Sequence, residues 1–377
     1  MNILMSSSAL TASSVPSELS RPVYRAPRLP SGSKLVVDGD LQKALWAAAP
    51  WSAEFADIRG SRDAPPGTAP ADSCTTRMKM LWDDEFLYVG AVLSYSDSLP
   101  VIAEFTERNS PIYQRDSDFE VFIDADHSCH NYKELEVNAR NVVWNLLLTR
   151  PYSDGGGEHS GRVAKPGDEN FYEVASQRTA VRFLDGELGG SAPARWAVEI
   201  ALAHADTIAR NPGARTPAPG QRWRINFSRV EKQGEVNWTW APQVVWEPRK
   251  RTFEGKVNMH LPDAWGYVEF AEPSEGALGQ MDAAAAATVA AEPANAVRAA
   301  AMIIYYAQHA YRETAGNFSP SIEGLQADRL VDEASIARLS VEIEAREGGF
   351  VATATDPETG VRAIVSQDRY VELQLQS

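Results

Sequence analysis

Three consecutive segments between Asp116 and Tyr152 alternate apolar and polar side chains with the two-residue period of a β-strand. They run from Phe119 to Asp124, from Lys133 to Asn138 and from Val142 to Arg150. In the first two segments, apolar side chains fill one face, and most of the other face is carboxylates and an amide. Neighbouring strands of this kind predict a sheet with one buried face and one solvated polar face. We expect a ligand to bind on that polar face.

The charge of the chain argues against several classes of partner. Its 377 residues include 36 lysines and arginines against 51 aspartates and glutamates, a formal net charge of -15 at pH 7. Such a chain repels nucleic acid and anionic membranes, and it suits a neutral or cationic partner. No run approaches the ~20 apolar residues that a membrane-spanning helix needs. Cys74 and Cys129 lie far apart without CxxC spacing, which favours two free thiols over one disulfide.

The length and the residue pattern predict two domains with flanking segments. Residues 1–34 carry serines and basic residues without a long apolar run, which favours a disordered tail, with a transit peptide as the alternative. This segment specifies no compartment. Residues 35–270 contain many short alternating runs separated by turn residues, a pattern typical of an antiparallel β-sandwich. Residues 271–292 are rich in alanine and predict a linker, and residues 293–377 predict a smaller α+β domain.

The predicted sandwich begins with a strand at residues 35–37. A short helix follows, because Leu41, Leu45 and Trp46 lie at helical spacing. Much later in the sandwich, Arg229 ends the polar side of an alternating strand and is expected to turn a corner.

The C-terminal residues predict one helix packed on an antiparallel meander. Val297, Met302 and Ile304 lie at helical spacing ahead of Gly316, and four short strands follow from Ser340 onward. The run IIYYAQHAYRETAGNFSPSIEGL resembles the helix-to-sheet region of type IV pilin-like proteins, without the apolar span that anchors them. That resemblance implies a domain that contacts a protein partner.

A series of blocks recurs in a fixed order over about residues 35–270. The blocks are VVDGDLQKALW, LWDDEFLYVGAVL, DSDFEVFIDAD, YKELEVNARNVVWNLLLTRPY, WAVEIAL, GQRWRINFSRVE, NWTWAPQ and VNMHLPDAWGYVEF. Together they resemble carbohydrate-binding module family 9 and its family-9-like relatives. The resemblance implies a β-sandwich that binds sugars, often within secreted polysaccharide-degrading enzymes, with structural calcium in some members.

The resemblance also implies where a sugar would bind. The acidic residue of the family's EIFID-type strand corresponds to Glu120, and the asparagine of the following strand corresponds to Asn138. The characterised sugar binders hold the ligand between two tryptophans. In this chain, Tyr113 stands at the first of these positions, and Met259 and His260 stand at the second.

Further candidates follow from the chemistry of sugars, whose apolar faces stack on aromatic rings and whose hydroxyls need fixed polar groups. Glu136, at the family's arginine position, and Trp144 both lie beside the polar face, and Arg224 and Asn226 share the polar face of a later strand. The remaining aromatic candidates are Tyr152, Trp238, Trp240, Trp246 and Trp265. The tryptophans expected in the core are Trp46, Trp82, Trp196 and Trp223.

Four aspartates are candidates for a structural calcium site. Asp38, Asp40, Asp124 and Asp126 supply the oxygen ligands that calcium prefers. The six histidines show no HExxH or comparable spacing, so no zinc site is predicted.

Together these observations predict a non-catalytic carbohydrate-binding protein that is accessory to carbohydrate catabolism. One alternative is a glycoside hydrolase that uses Glu120 and Glu136 as its two carboxyl groups. A second alternative is a structural or assembly module that lacks sugar binding and contacts a protein partner through its C-terminal domain.

Overall fold

The structure of the chain is a computed structural model that describes residues 20–190, 194–272 and 278–375. It is mainly β, with antiparallel sheets in a sandwich and a smaller C-terminal region of helices and strands. The predicted fold class is confirmed. Residues 1–19 of the predicted tail lie outside the described residues.

The strands are short, as the turn residues between the alternating runs predict. In chain order, those of the first half are β1 (Val23–Pro27), β2 (Ala56–Asp57), β3 (Thr76–Trp82), β4 (Phe86–Ser94), β5 (Asp118–Asp124), β6 (Tyr132–Asn138), β7 (Val143–Leu148), β8 (Glu158–Ser160), β9 (Arg178–Asp185) and β10 (Arg195–Ala203). The later strands are β11 (Arg222–Glu231), β12 (Val236–Thr239), β13 (Val244–Glu247), β14 (Thr252–Gly255), β15 (Gly266–Ala271), β16 (Gly279–Gln280), β17 (Ser340–Arg346), β18 (Gly349–Thr355), β19 (Arg362–Ser366) and β20 (Val371–Gln374). The predicted segments around residues 119–150 correspond to β5, β6 and β7.

Two sheets build the sandwich. The large sheet has the strand order β16-β1-β15-β11-β5-β6-β7-β8, and β12 also pairs with β11 and carries β2. β1 and β15 pair in parallel, whereas β5, β6, β7 and β11 pair antiparallel with one another. The second sheet has the order β3-β4-β10-β9. This arrangement places β5 and β6 in the middle of the large sheet.

The main hydrophobic core lies between these two sheets. Phe119, Val121 and Ile123 of β5 are buried in it, together with Val89 of β4 and Val198 of β10. Burial of each such side chain stabilises the fold by about 1.5–3 kcal/mol. The alternation therefore identified the correct buried face of β5.

Arg229 connects the two sheets inside the sandwich. It lies within β11 and is fully buried, so the prediction of a corner residue is wrong. Its guanidinium pairs with Glu231 at 2.7 Å and donates to the Thr76 hydroxyl and the Ser94 carbonyl at 3.1 and 2.9 Å. Because a buried charge is costly unless it is paired and hydrogen-bonded, these partners explain how Arg229 is accommodated.

The N-terminal part of the chain differs from the predicted tail of residues 1–34. Residues 23–27 form β1 inside the large sheet, where Tyr24 is fully buried and its hydroxyl donates to the Pro50 carbonyl at 2.6 Å. The tail prediction is therefore wrong for these residues. The partners of β1 are β15 and β16, which lie far along the chain, so the short run VYRAP carries little local signal.

The predicted strand at residues 35–37 is also wrong. A carboxylate oxygen of Glu199 accepts hydrogen bonds from the amides of Asp38 and Gly39 at 2.8 and 3.0 Å, and it holds this segment as a loop. The predicted helix after it is a 3-10 helix at Ala44–Ala48, in which Trp46 is buried.

The helices of the described residues lie mostly in the C-terminal part of the chain. They are α1 (Gly60–Asp63), α2 (His204–Thr207), α3 (Ala283–Ala291), α4 (Pro293–Ala315), α5 (Ile322–Ala327) and α6 (Glu333–Ile336). Helix α4 ends at Gly316, whose φ of 79° is the left-handed conformation that suits glycine at a helix end. Among the described residues, no helix has both the length and the apolar character that a membrane crossing requires.

Helix α4 packs on the sheet β17-β18-β19-β20, which is the helix and meander predicted for this region. Cys129, Trp246 and Phe253 of the preceding region join the same hydrophobic cluster. Cys129 and Cys74 are both buried free thiols, as the sequence favours. Residues 271–292, predicted as a linker, contain β16 and α3. The apolar contacts show that the C-terminal region packs directly against the sandwich.

The register of β5 can be tested by truncating Ile123, which is buried in the main core. Ile123→Ala should lower the free energy of unfolding by ~2 to ~5 kcal/mol, because it removes buried methyl groups and leaves a cavity. Urea denaturation measures this loss. Val36→Ala, at a position that is 65% exposed, should change stability little. Equal effects of the two substitutions would show that the register is wrong.

Candidate functional site

The polar face of β5, β6 and β7 forms the floor of a groove of about 590 Å³. We call Asp118, Glu120, Glu134 and Glu136 the floor acids. The side chains around the three glutamates that line the groove include Tyr113, Trp144, Tyr152, Met259 and His260. The groove therefore combines carboxyl groups with aromatic rings.

Strand pairing brings the floor acids side by side. Glu120 of β5 lies opposite Glu136 of β6, and Ser228 of β11 lies opposite Glu120 on its other side. Directly opposite side chains in such a pair have Cβ atoms about 4.5–5.5 Å apart. Carboxylate oxygens of Asp118, Glu120 and Glu136 accordingly lie within 4.8 Å of one another.

The floor acids are buried, so the prediction of a solvated polar face is wrong. Glu120 is 4% exposed and Glu136 is 1% exposed, because the loops of the groove cover the sheet. Burial raises the pKa of Glu120 to about 7. Burial, followed by repulsion from Glu120, raises the pKa values of Asp118, Glu134 and Glu136 well above the usual range. At neutral pH the floor therefore carries protonated carboxyl groups, which donate as well as accept hydrogen bonds.

Trp144 lies within the groove lining but is covered by its neighbours. The Tyr113 ring stacks on it with centroids 5.8 Å apart, and the guanidinium of Arg162 lies 4.1 Å from its ring centre. Arg162 in turn pairs with Glu158 at 2.5 Å. Only 3% of Trp144 is exposed, so it supports Tyr113 and offers little ring surface to a ligand.

A second group of rings surrounds His260. Tyr152 meets the imidazole edge-on at 4.8 Å, and the Tyr132 hydroxyl shares a 3.0 Å hydrogen bond with His260 Nδ1. Burial lowers the pKa of His260 to about 4, so the imidazole is neutral. Tyr152 is exposed, and its ring is accessible to a ligand.

The two loops that carry these rings are held by one residue of the C-terminal sheet. Arg369, in the turn between β19 and β20, is buried. Its Nε donates to Asp154 at 2.7 Å, two residues after Tyr152, and its Nη1 donates to Asp263 at 3.0 Å, three residues after His260. Arg369 therefore links both loops. The contacts are long-range, so no local sequence pattern indicates them.

The structure brings most of the predicted ligand residues together. Those that line the groove are Tyr113, Glu120, Glu136, Trp144, Met259 and His260. The structure adds Glu134, which alternation alone could have identified because it shares a face with Glu136. It also adds Arg162, which lies in a glycine-rich stretch that reads as a surface loop.

Asn138 is not among the residues that line the groove. Its Nδ2 donates to the Asp116 carboxylate at 2.7 Å, and its Oδ1 accepts from the amides of Arg140 and Val142 at 3.0 and 2.9 Å. Asn138 is fully buried, so its amide fixes the turn between β6 and β7.

Arg224 and Asn226 also lie away from the groove lining. Arg224 donates to the Asp263 carbonyl and the Tyr267 hydroxyl, each at 2.8 Å. Asn226 donates to the Ala241 carbonyl at 2.9 Å. The segments that cover β11 therefore accept the hydrogen bonds that Arg224 and Asn226 could otherwise donate to a ligand.

The other candidate tryptophans are core residues. Trp238, Trp240, Trp246 and Trp265 are all buried, and so are the tryptophans expected in the core: Trp46, Trp82, Trp196 and Trp223. Trp265 packs behind the groove floor beside Phe122 and Tyr132.

The four aspartates predicted to hold calcium do not converge. Asp38 pairs with the Lys43 ammonium at 2.7 Å, and Asp40 pairs with an arginine at 3.2 Å. Asp124 and Asp126, at the end of β5, accept hydrogen bonds from nearby amides. Among the described residues, the acids whose oxygens converge are instead three of the floor acids. The four aspartates therefore do not fit a calcium ion.

Residues 37–161 match the family model described as carbohydrate family 9 binding domain-like. The matched segment contains β5, β6 and β7, and therefore the floor acids. It also contains Tyr113, Trp144 and Tyr152. A comparison with curated proteins finds no match.

Three solved structures resemble parts of the chain. One is a protein of Bacteroides uniformis ATCC 8492 with a provisional carbohydrate-binding description; it is 12% identical, has a TM-score of 0.47, and the match covers 66% of this chain and 99% of that one. The others are family 9 carbohydrate-binding modules of Caldicellulosiruptor kristjanssonii in complex with glucose and with cellotriose. Both are 16% identical to this chain, with TM-scores of 0.38 and 0.37. The matches cover 67% and 68% of this chain and 99% and 100% of those chains.

The burial of Glu120 predicts that stability depends on pH. Its pKa is about 7 in the folded chain against an ordinary value of 4.5, so between these values the folded chain retains a proton that the unfolded chain releases. Its contribution to the free energy of unfolding should fall as pH rises through this window. Glu120→Gln cannot titrate at this position, so it escapes this loss. The free energy of unfolding of the variant, minus that of the wild type, should therefore rise by up to ~3 kcal/mol between pH 5 and pH 8.

Urea denaturation at the two pH values, in buffers with a chelator, measures this difference. The matched control is Glu342→Gln, the same substitution at an exposed position of β17. A Glu120→Gln difference that is the same at pH 5 and pH 8 would contradict a protonated floor.

Proposed function

We propose that the groove binds carbohydrate without cleaving it, as an accessory to carbohydrate catabolism. The observation that carries this proposal is the coincidence of two findings. Three of the floor acids, Glu120, Glu134 and Glu136, line one groove with the partly exposed rings, and the strands of its floor lie within the segment that matches the family 9 binding domain-like model.

The chemistry of the floor suits sugar hydroxyls, which both donate and accept hydrogen bonds. A protonated carboxyl group does the same, and Glu120, Glu134 and Glu136 stand within one groove. Tyr113 and Tyr152 supply flat apolar surface for the C–H faces of a sugar ring. The floor acids are either neutral or, after losing a proton, negatively charged. The groove therefore favours neutral or amino sugars over uronic acids, which are themselves negatively charged.

The positions of the family's aromatic clamp support the same groove. Tyr113 and the pair Met259 and His260 come from separate loops and line one groove. Their side chains offer a smaller stacking surface than two tryptophans. We therefore expect weaker stacking and a larger share of the affinity from the floor acids.

Hydrolysis by Glu120 and Glu136 is the main alternative. Glycosidases place their two carboxyl groups on either side of the bond that they cleave, ~5 to ~9 Å apart. Glu120 and Glu136 are directly paired on adjacent strands of one floor, so both approach a ligand from the same side. This placement favours binding. A reducing-end assay on the glycans that bind separates the two functions, since release of reducing sugar would support the enzyme.

The proposed site predicts the effect of two substitutions on glycan binding. Glu120→Ala should weaken the affinity by roughly five- to more than a hundred-fold, because a sugar hydroxyl left without its partner costs ~1 to ~3 kcal/mol. Tyr113→Ala should also weaken it, because the ring face is lost. A glycan array with neutral, amino and acidic oligosaccharides selects the ligand, and isothermal titration calorimetry measures the affinities.

The control is Glu342→Gln, which lies on the C-terminal sheet away from the groove and should bind as wild type does. Thermal melts of each variant separate lost binding from lost folding. A glycan whose affinity survives both Glu120→Ala and Tyr113→Ala in folded protein would place the site elsewhere.

A further inference from the structure

Three arginines from distant parts of the chain converge where α4 meets the large sheet. Arg21 lies just before β1, Arg224 lies in β11, and Arg298 lies in the second turn of α4. All three line a cavity of about 40 Å³. None of them lines the groove.

The hydrogen-bonding capacity of these guanidiniums is only partly used. Arg21 donates to a backbone carbonyl at 2.7 Å, and Arg224 donates to carbonyl oxygens and to the Tyr267 hydroxyl. The Nε of Arg298 is buried, and none of the described residues accepts its hydrogen. A buried donor without a partner costs ~1 to ~3 kcal/mol, more when the group is charged.

The side chains around the cavity supply little negative charge. Among the described residues that line the cavity, Asp263 has the only carboxylate. Asp263 already accepts hydrogen bonds from Arg369 at 3.0 Å and from Tyr306 at 3.1 Å. Asp263 therefore already pairs with a fourth arginine, and its single negative charge cannot also neutralise the three arginines at the cavity.

The nearby Asp124 does not correct this imbalance. It interacts electrostatically with Arg224 and Arg298, but burial raises its pKa to about 8, so it is mostly protonated at neutral pH. Burial and repulsion by Arg224 lower the pKa of Arg21 to about 10, in the direction expected for crowded cations.

We propose that Arg21, Arg224 and Arg298 bind one small inorganic anion in this cavity. Guanidinium groups are suited to oxyanions, which they contact through several N–H groups at once. A cavity needs roughly 10–15 Å³ to hold one water molecule, so a cavity of about 40 Å³ admits a small inorganic ion and excludes a large organic anion. The bound anion joins α4 to β11 and to the segment before β1, and it stabilises the contact between the C-terminal region and the sandwich.

Thermal unfolding of the full chain at constant pH and ionic strength tests this site. Sodium gluconate, whose anion is too large for the cavity, is replaced stepwise by sodium chloride or sodium phosphate. A saturable rise in Tm of about 2–5 °C with either salt is expected, since a ligand that binds only the folded state stabilises it. The salt that acts distinguishes a halide site from an oxyanion site. Equal Tm values in all three salts overturn the proposal.

Substitutions assign the effect to the cavity. Arg298→Gln should abolish the anion-dependent rise in Tm. Arg312→Gln is the matched control, because Arg312 lies on the same helix but packs over Phe318 at 5.0 Å, away from the cavity lining, and the rise should persist. If Arg298→Gln does not fold, Arg298→Lys provides the test. It keeps the charge but loses the planar fork, so it should weaken the anion affinity about tenfold. A wild-type response in a folded Arg298 variant overturns the assignment.

Discussion

The pairing of Glu120 with Glu136 across β5 and β6 is the constraint on which the groove depends. Side chains alternate with a period of two, so the register that buries Val121 and Leu135 must also place these glutamates together on the opposite face. Two ionised carboxylates in such a position would repel each other and would each lose hydration. Protonation removes both costs. Burial raises the pKa of Glu120, and burial together with repulsion by Glu120 raises the pKa of Glu136. The packing of the core thus determines the chemistry of the groove, because the same backbone register sets both faces of the sheet.

The extent to which the fold could be predicted follows from the range of the interactions involved. Strands β5, β6 and β7 were predictable because neighbouring residues alone reveal which side chains are buried, and each strand pairs with the next along the chain. Strand β1 was not, because its partners β15 and β16 are distant and its five residues are too few to show a period. At residues 35–37 the apolar pattern suggested a strand, but Glu199 from β10 bonds the next two amides and favours a loop. The local sequence does not reveal that a distant side chain, here Glu199, accepts the backbone hydrogen bonds that a neighbouring strand would otherwise accept.

The candidate site divides in the same way. Glu120, Glu136 and Tyr113 were identified from alternation or from position in the resembling blocks, and they line the groove. Arg224 and Asn226 share a polar face with Glu120, yet loops that fold over β11 use their hydrogen-bonding groups. A polar residue on a strand is available to a ligand only where no loop satisfies it first, and loop packing is not readable from alternation. The prediction of a solvated face failed for this reason: the polar face is enclosed by loops, so its acids are buried.

Those loops depend on charges supplied from the far end of the chain. Arg369 pairs with Asp154 beside Tyr152 and with Asp263 beside His260, so one guanidinium holds two parts of the groove. Breaking a buried pair of this kind costs ~3 to ~5 kcal/mol, because the partner charge stays buried and unpaired. Asp263 also lines the cavity of the three arginines, which compete with Arg369 for its negative charge. With the proposed anion neutralising those arginines, Asp263 remains available to Arg369. Asp263 thus stands between the two sites, because it lines the cavity and accepts a hydrogen bond from the arginine that also holds Asp154.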